Sequence, residues 1–136
     1  MAITTTISQA ELARVGVTAY QGKTYRISLA YKNTATLTAN STVAQWDALK
    51  LSGNGYTDKT GTIAAGSYNA TTARYELPQI AVTFTASGGN WIYDTLYVVI
   101  TDGGTSTLHS IVVENPTVTL VDGGSITYRV VLNTND

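Results

Sequence analysis

At 136 residues the chain fits one domain, and 43% of it is hydrophobic while only 12% is charged, against about 25% in ordinary soluble domains. A net charge of -1 and eight scattered basic residues leave no stripe of Lys and Arg for nucleic acid, and membrane surfaces are disfavoured for the same reason. There is no cysteine, hence no disulfide framework and no thiolate metal site. Stability must come from packing, and near-neutrality favours association with other chains.

Met1–Thr6 carries neither a basic leader nor a long apolar stretch, so no signal peptide or membrane span is expected and the chain is expected to be used in the cytoplasm where it is made. Ser8-Gln9-Ala10-Glu11 is a capping-box pattern ahead of Leu12 and Val15, with Gly16 placed to stop a short helix. Residues 1–22 therefore read as an N-terminal arm and short helix on a single domain spanning 1–136. From Lys23 the period becomes two: Tyr25, Ile27, Leu29 and Tyr31 share one face, and Thr24, Arg26, Ser28 and Ala30 the other, as in a half-buried strand. After a small polar connection over Thr34–Thr38, Asn40 or Ser41 caps a second short helix in which Val43, Trp46 and Leu49 recur every three residues. Trp46 plugs that helix onto the sheet.

Gly53-Asn54-Gly55 ahead of Tyr56 demands backbone angles that ordinary residues resist, and reads as a specified turn. Thr60–Thr72 is a Gly, Ala, Ser and Thr-rich loop with room for a short edge pairing. Ile80, Val82, Phe84 and Ala86 then alternate with Ala81, Thr83 and Thr85, and Pro78 belongs at the start of that strand or on an edge. Across Ser87-Gly88-Gly89-Asn90 comes Trp91–Ile100, apolar on both faces, which only a sheet covered on both sides accommodates. Two Asp-Gly-Gly turns follow, with Gly103 and Gly104 after Asp102 and Gly123 and Gly124 after Asp122, and both read as hairpins. They separate strands Leu108–Val113, Thr117–Val121 and Ser125–Leu132, the last alternating as Ile126, Tyr128, Val130 and Leu132. The fold class expected is all-β with one or two short helices, an antiparallel β-sandwich, with a jelly roll or an open barrel as alternatives.

Chemistry is hard to find in the pattern. One histidine, His109, sits inside a predicted strand without spaced partners, and reads as a strand histidine satisfied by a neighbour or water. Asp102 and Asp122 are turn formers, because a calcium loop needs several spaced oxygen ligands. Ser52–Tyr56 is no phosphate cradle, since no Lys-Ser or Lys-Thr pair follows. No catalytic, cofactor or metal residues are expected, and no enzymatic activity. Trp91, Tyr93, Tyr97 and Tyr56 are the candidates for an interface or, less favoured, for stacking on a host sugar. Gly53, Gly55, Gly103, Gly104, Gly123 and Gly124 are the structural turn residues.

The order Ser-Gly-x-Gly-Tyr (Ser52–Tyr56), an alternating strand with Phe and Ala (Val82–Ala86), Gly-x-Trp (Gly89–Trp91), Asp-Gly (Asp102, Gly103) and a Pro seven residues ahead of a Gly (Pro116, Gly123) resembles small virion proteins of tailed bacteriophages, over Ser41–Leu132. That resemblance implies a non-enzymatic β-sandwich of the phage particle, made in the host cytoplasm. It would bind copies of itself and other virion proteins. A capsid decoration or cement protein clamping neighbouring capsid subunits is favoured, since the chain has no heptads or repeat from which to build a long fibre shaft. The alternatives are a tail fibre, collar or baseplate component and a carbohydrate-binding adhesion module.

Overall fold

The apolar run after Asn90 becomes a twelve-residue strand, Trp91–Asp102, in which every residue from Tyr93 to Ile100 is buried. In the computed structural model, which describes residues 19–132, the elements run β1 (Thr24–Ala30), α1 (Val43–Asp47), β2 (Lys59–Thr62), β3 (Ser67–Asn69), β4 (Arg74–Glu76), β5 (Ile80–Thr85), β6 (Trp91–Asp102), β7 (Thr105–Leu120) and β8 (Ser125–Val130). The helix expected over Ser8–Gly16 lies outside the described residues. One sheet has the order β2-β1-β6-β7, β5 pairs with β8, and β3 pairs with β4. Every pairing is antiparallel, and among the described residues no sheet closes into a barrel.

Both faces of β6 are covered, by different means. Trp91, Tyr93, Leu96, Val98 and Ile100 join Ile27 and Leu29 of β1, Val82 and Phe84 of β5, and Leu132 in the core between the four-stranded sheet and the β5-β8 pair, with Ile126 and Tyr128 of β8 packed against it. This is the sandwich that the alternation of β5 and β8 predicts. Its outer face is polar, where Thr83 meets Thr127 at 2.8 Å and Thr85 meets Ser125 at 2.7 Å. Tyr97 and Val99 point the other way and pack with Ala30 and Trp46, beneath Leu37, Val43 and Leu49. A segment of the same domain, carrying α1, supplies that second cover.

Five residues do not make a stable helix alone. Thr42, and not Asn40 or Ser41, is its N-cap: Thr42 and Gln45 bond each other's backbone in a full capping box. The remaining stability comes from Trp46, fully buried, stacked on Tyr97 with ring centroids 5.7 Å apart and donating its indole N–H to the Thr38 carbonyl at 3.0 Å. Because this segment roofs the sheet, Ser28 and Ala30 are buried as completely as Ile27 and Leu29. The half-buried reading of β1 thus holds only for its first residues.

Two strand expectations change. Leu108–Val113 and Thr117–Val121 are one strand, β7, which stays paired with β6 through register shifts between Tyr93 and Thr95 and between Val98 and Val99. Across the first shift β6 advances two residues, from Tyr93 to Thr95, while β7 advances five, from Val118 to Val113, and β6 changes face there, so Trp91 and Tyr93 share a face with Leu96 and Val98 despite the odd spacing. The second Asp-Gly-Gly turn is not a hairpin, because β7 belongs to one sheet and β8 to the other. It carries the chain across the sandwich, with Gly123 N–H bonded to the Ala86 carbonyl at 2.8 Å and Ala86 N–H to the Gly124 carbonyl at 3.0 Å.

The turn glycines sort by backbone. Gly103 and Gly104, with φ of 57° and 89°, form the two-residue hairpin loop between β6 and β7. Gly123 is also left-handed, whereas Gly124 is constrained by space, since a Cβ there would lie 2.9 Å from the Val121 carbonyl oxygen. Gly53, Asn54 and Gly55 are left-handed in succession, at 77°, 52° and 78°. The turn they make aims the Asn54 carbonyl at Ser87 N–H (3.0 Å) and at the Trp91 indole N–H (2.8 Å).

Three substitutions follow from this packing. Gly53→Ala meets open space and carries only the left-handed backbone cost, about 1 kcal/mol. Gly55→Ala adds a Cβ at 3.1 Å from that of Ser87, so urea unfolding is expected to show it as the more destabilising of the two. Equal midpoints would refute the role given to Ser87. Trp46→Ala is expected to cost about 3–5 kcal/mol, the range for truncating a buried aromatic. A loss under about 1 kcal/mol would mean that the α1 cover is not part of the cooperative core.

Candidate functional site

On the α1 side of the sheet the alternating strand places Arg26 and Ser28 beneath the roof, beside Tyr97 of the neighbouring strand. Arg26 reaches Asp47 at the end of α1 with both terminal nitrogens, Nη1 at 3.0 Å and Nη2 at 3.1 Å, and its guanidinium lies over the Tyr97 ring, 5.7 Å from the centroid. Tyr97 donates its hydroxyl to the same carboxylate at 2.6 Å. Ser28 accepts from Arg26 at 2.9 Å and donates to Asp58 at 2.8 Å. Asp58 also accepts from Lys50 at 2.9 Å and from Tyr56 at 2.8 Å.

Two cations and two carboxylates thus balance, with each carboxylate held by at least one cation and one hydroxyl, and Arg26 Nη1 also 3.8 Å from Asp58. Burial raises the Tyr97 phenol well above its ordinary value, reinforced by Asp47, and Tyr56 is raised by burial in the same way. Both remain neutral donors. Burial alone would raise the Asp58 carboxyl, but the bonds from Lys50, Tyr56 and Ser28 outweigh it and hold the carboxyl below its usual value.

The network also completes the sheet. Along the outer edge of β1, β2 pairs as far as Ile27, and Leu49–Leu51 takes over beyond it through the Leu51 to Leu29 and Tyr31 to Leu49 backbone bonds. Between them the Leu29 N–H faces no strand, and the Tyr56 hydroxyl accepts from it at 2.8 Å. A carboxylate solves a similar problem at the end of β1, where buried Asp94 accepts from the Lys32 and Asn33 N–H groups at 2.7 and 2.8 Å.

Of the four aromatic candidates, Trp91, Tyr93 and Tyr97 are buried and Tyr56 is partly buried against the same core. Trp91 is 4% exposed, edge-on to Tyr56 and Phe84, and Tyr56 lies parallel to Phe84 at 6.1 Å. Tyr93 is fully buried and meets Tyr128 hydroxyl to hydroxyl at 2.6 Å, with Glu114 beyond at 3.4 Å. Tyr97 lies between Trp46 and Arg26. Three of these rings, Tyr56, Trp91 and Tyr93, share the inter-sheet core, and none presents a free face of the kind a sugar ring needs.

His109 lies in β7, as expected, at the register shift opposite Val98 and Val99. Its Nδ1 is 2.9 Å from the Ser110 hydroxyl, Tyr20 meets the ring edge-on at 5.1 Å, and burial lowers its pKa, which favours the neutral ring. The shallow cleft beside it contains the Lys23–Asp102 ion pair at 3.0 Å, so its two unlike charges neutralise each other. Among the described residues no group of three or more metal-ligating side chains converges. Every buried side-chain polar atom of those residues has a partner within the fold.

Sequence reasoning missed Arg26, Asp47, Lys50 and Asp58, which are spread over 33 positions and fall in four separate elements or loops. A usable signal was present in the adjacent Trp46 and Asp47: a tryptophan that plugs onto a sheet brings its neighbouring carboxylate down to the strand that carries Arg26. Compared with protein-family models, curated proteins and solved structures, the chain matches none.

Asp58→Asn leaves Lys50 facing a neutral amide, and a loss of about 1–3 kcal/mol is expected near pH 7. The folded carboxyl titrates below its unfolded value of about 3.9, so its stabilisation is complete above that value and is lost as pH falls through the lower, folded one. The gap between wild type and variant in urea unfolding should therefore narrow on acidification below about pH 4. A gap independent of pH would show that Asp58 is not held as a paired carboxylate.

Proposed function

We propose that the chain is a non-enzymatic assembly protein, and that the assembly is a tailed-phage particle in which it decorates or cements the capsid. The observation that carries the assembly reading is where the polar and apolar groups end up. The ionisable cluster is electrically balanced and serves the sheet, while apolar side chains stand exposed on strands: Val112 and Val113 of β7 are 53% and 51% exposed, and Ile92 of β6 is 50% exposed. Charge is sparse and nearly balanced, which suits a surface that other chains cover.

The phage particle itself enters through the ordered series of turn and strand motifs between Ser41 and Leu132. Two of those motifs have a shared physical role: the Ser52–Tyr56 turn holds the Trp91 indole of the Gly-x-Trp turn. Partners on this reading are the major capsid protein and further copies of the chain. The sealed aromatic rings give a host-glycan platform no support.

Quantitative mass spectrometry of purified particles tests it. A copy number that scales with the capsid lattice is expected. A number matching the low symmetry of the tail would move the protein there, and absence from the particle would overturn the virion reading altogether.

A further inference from the structure

We infer that the outer edge of β7 is a self-pairing surface, on which the β7 strand of a second copy adds antiparallel across a two-fold axis centred on Val112. This names the surface for the self-association included in the proposed function, and rests on that part of the reading but not on the phage particle.

β7 is the terminal strand of the four-stranded sheet, and among the described residues nothing pairs with its outer side. It is sixteen residues long, yet it carries no Lys or Arg and a single carboxylate, Glu114. Natural edge strands are commonly guarded by lysines, prolines or bulges. Here the guards lie at two places, the register shift at His109 and the irregular stretch over Glu114–Thr117 that contains Pro116. Ser110–Val113 between them stays in regular register with β6, so its outer edge is straight and unguarded.

The exposure of that stretch says what kind of partner fits. Val112 is opposite Leu96, which faces the inter-sheet core, and Val113 is opposite Thr95, on the other face of the sheet. Successive strand residues point to opposite faces. A partner lying on either face would cover one valine and leave the other in water, whereas an added strand extends both faces and covers both.

A second copy is the occupant because the edge is complementary to itself. Antiparallel pairing about an axis normal to the sheet keeps like faces together, so residues opposite one another must share parity. With the axis at Val112, each Val112 faces its counterpart, Ile111 faces Val113, and Ser110 faces Glu114. Apolar meets apolar at three successive positions, and no like charges are opposed. The net charge of -1 adds little repulsion between copies.

The absence of cysteine makes a clean test. In this register the two Val112 Cβ atoms lie about 4.5–5.5 Å apart, close to the spacing of a disulfide. Val112→Cys in the full chain, treated with oxidised glutathione, is expected to become a covalent dimer. Thr119→Cys, on the same strand beyond Pro116, is expected to stay monomeric on a reducing-agent-free gel. Val112→Lys, at a position half in solvent, should keep the wild-type circular dichroism and melting curve but sediment as a monomer where wild type sediments as a dimer. A monomeric wild type, a Val112→Lys dimer, or cross-linking through Thr119→Cys but not Val112→Cys would each overturn the pairing. Particle copy number is read independently of these experiments, so either proposal can fail while the other stands.

Discussion

The double burial of β6 is the constraint on which the rest of the structure depends. A strand with bulk on both faces is unstable until each face meets other apolar surface, and burying a large side chain is worth about 1.5–3 kcal/mol. One cover is a second sheet, whose strands alternate and can therefore face water on their outer side. The other is a loop pinned by a single turn of helix. A loop roof is polar along its backbone, so it must bring its own hydrogen bonds, and Trp46, bonded to the Thr38 carbonyl while it stacks on Tyr97, supplies apolar bulk and one such bond in the same residue.

The ionic network follows from that choice of roof. Under a second sheet, the Arg26 and Ser28 positions would call for apolar side chains. Under a short helix ending at Asp47 they can be polar, provided the charges balance. Such a network is weak evidence for net stability, since the desolvation of paired ions offsets much of their attraction. Its clearer contribution is register: Tyr56 closes a gap in the ladder beside β1, and Asp58 ties that tyrosine to Lys50 in the segment that resumes the pairing.

What could be read from the sequence was whatever depends on local pattern. The two-residue period of Ile80–Ala86 and Ile126–Leu132, the left-handed turn at Gly53–Gly55 and the continuous apolar run of β6 all have local causes, and each appears where the pattern puts it. The capping box at Thr42 and Gln45 had a local cause too, but the neighbouring Asn40 and Ser41 offered the same chemistry. What could not be read depends on which elements meet. Asp122-Gly123-Gly124 and Asp102-Gly103-Gly104 are alike as peptides, and only the destination of the following strand makes one a hairpin and the other a crossing between sheets. The placement of the aromatic residues depends on the same thing, because a tyrosine suited to an interface is equally suited to a core that offers its hydroxyl a partner.

The cover over β6 is not uniform along the sheet, and this shapes the outer surface. The α1 roof reaches Leu108 and Ile111 on β7 but stops short of Val113. On the opposite face the core reaches Val118 and Leu120 and stops short of Val112. The two covers fall short at adjacent residues of one strand, between the two irregularities where β7 departs from regular pairing. Since β-branched residues on consecutive positions favour the extended conformation whether or not they are buried, the strand persists there without cover. A sheet that ends on such a stretch has its hydrogen-bonding edge and its apolar side chains exposed at the same place, which is the chemistry that another strand satisfies and that water does not.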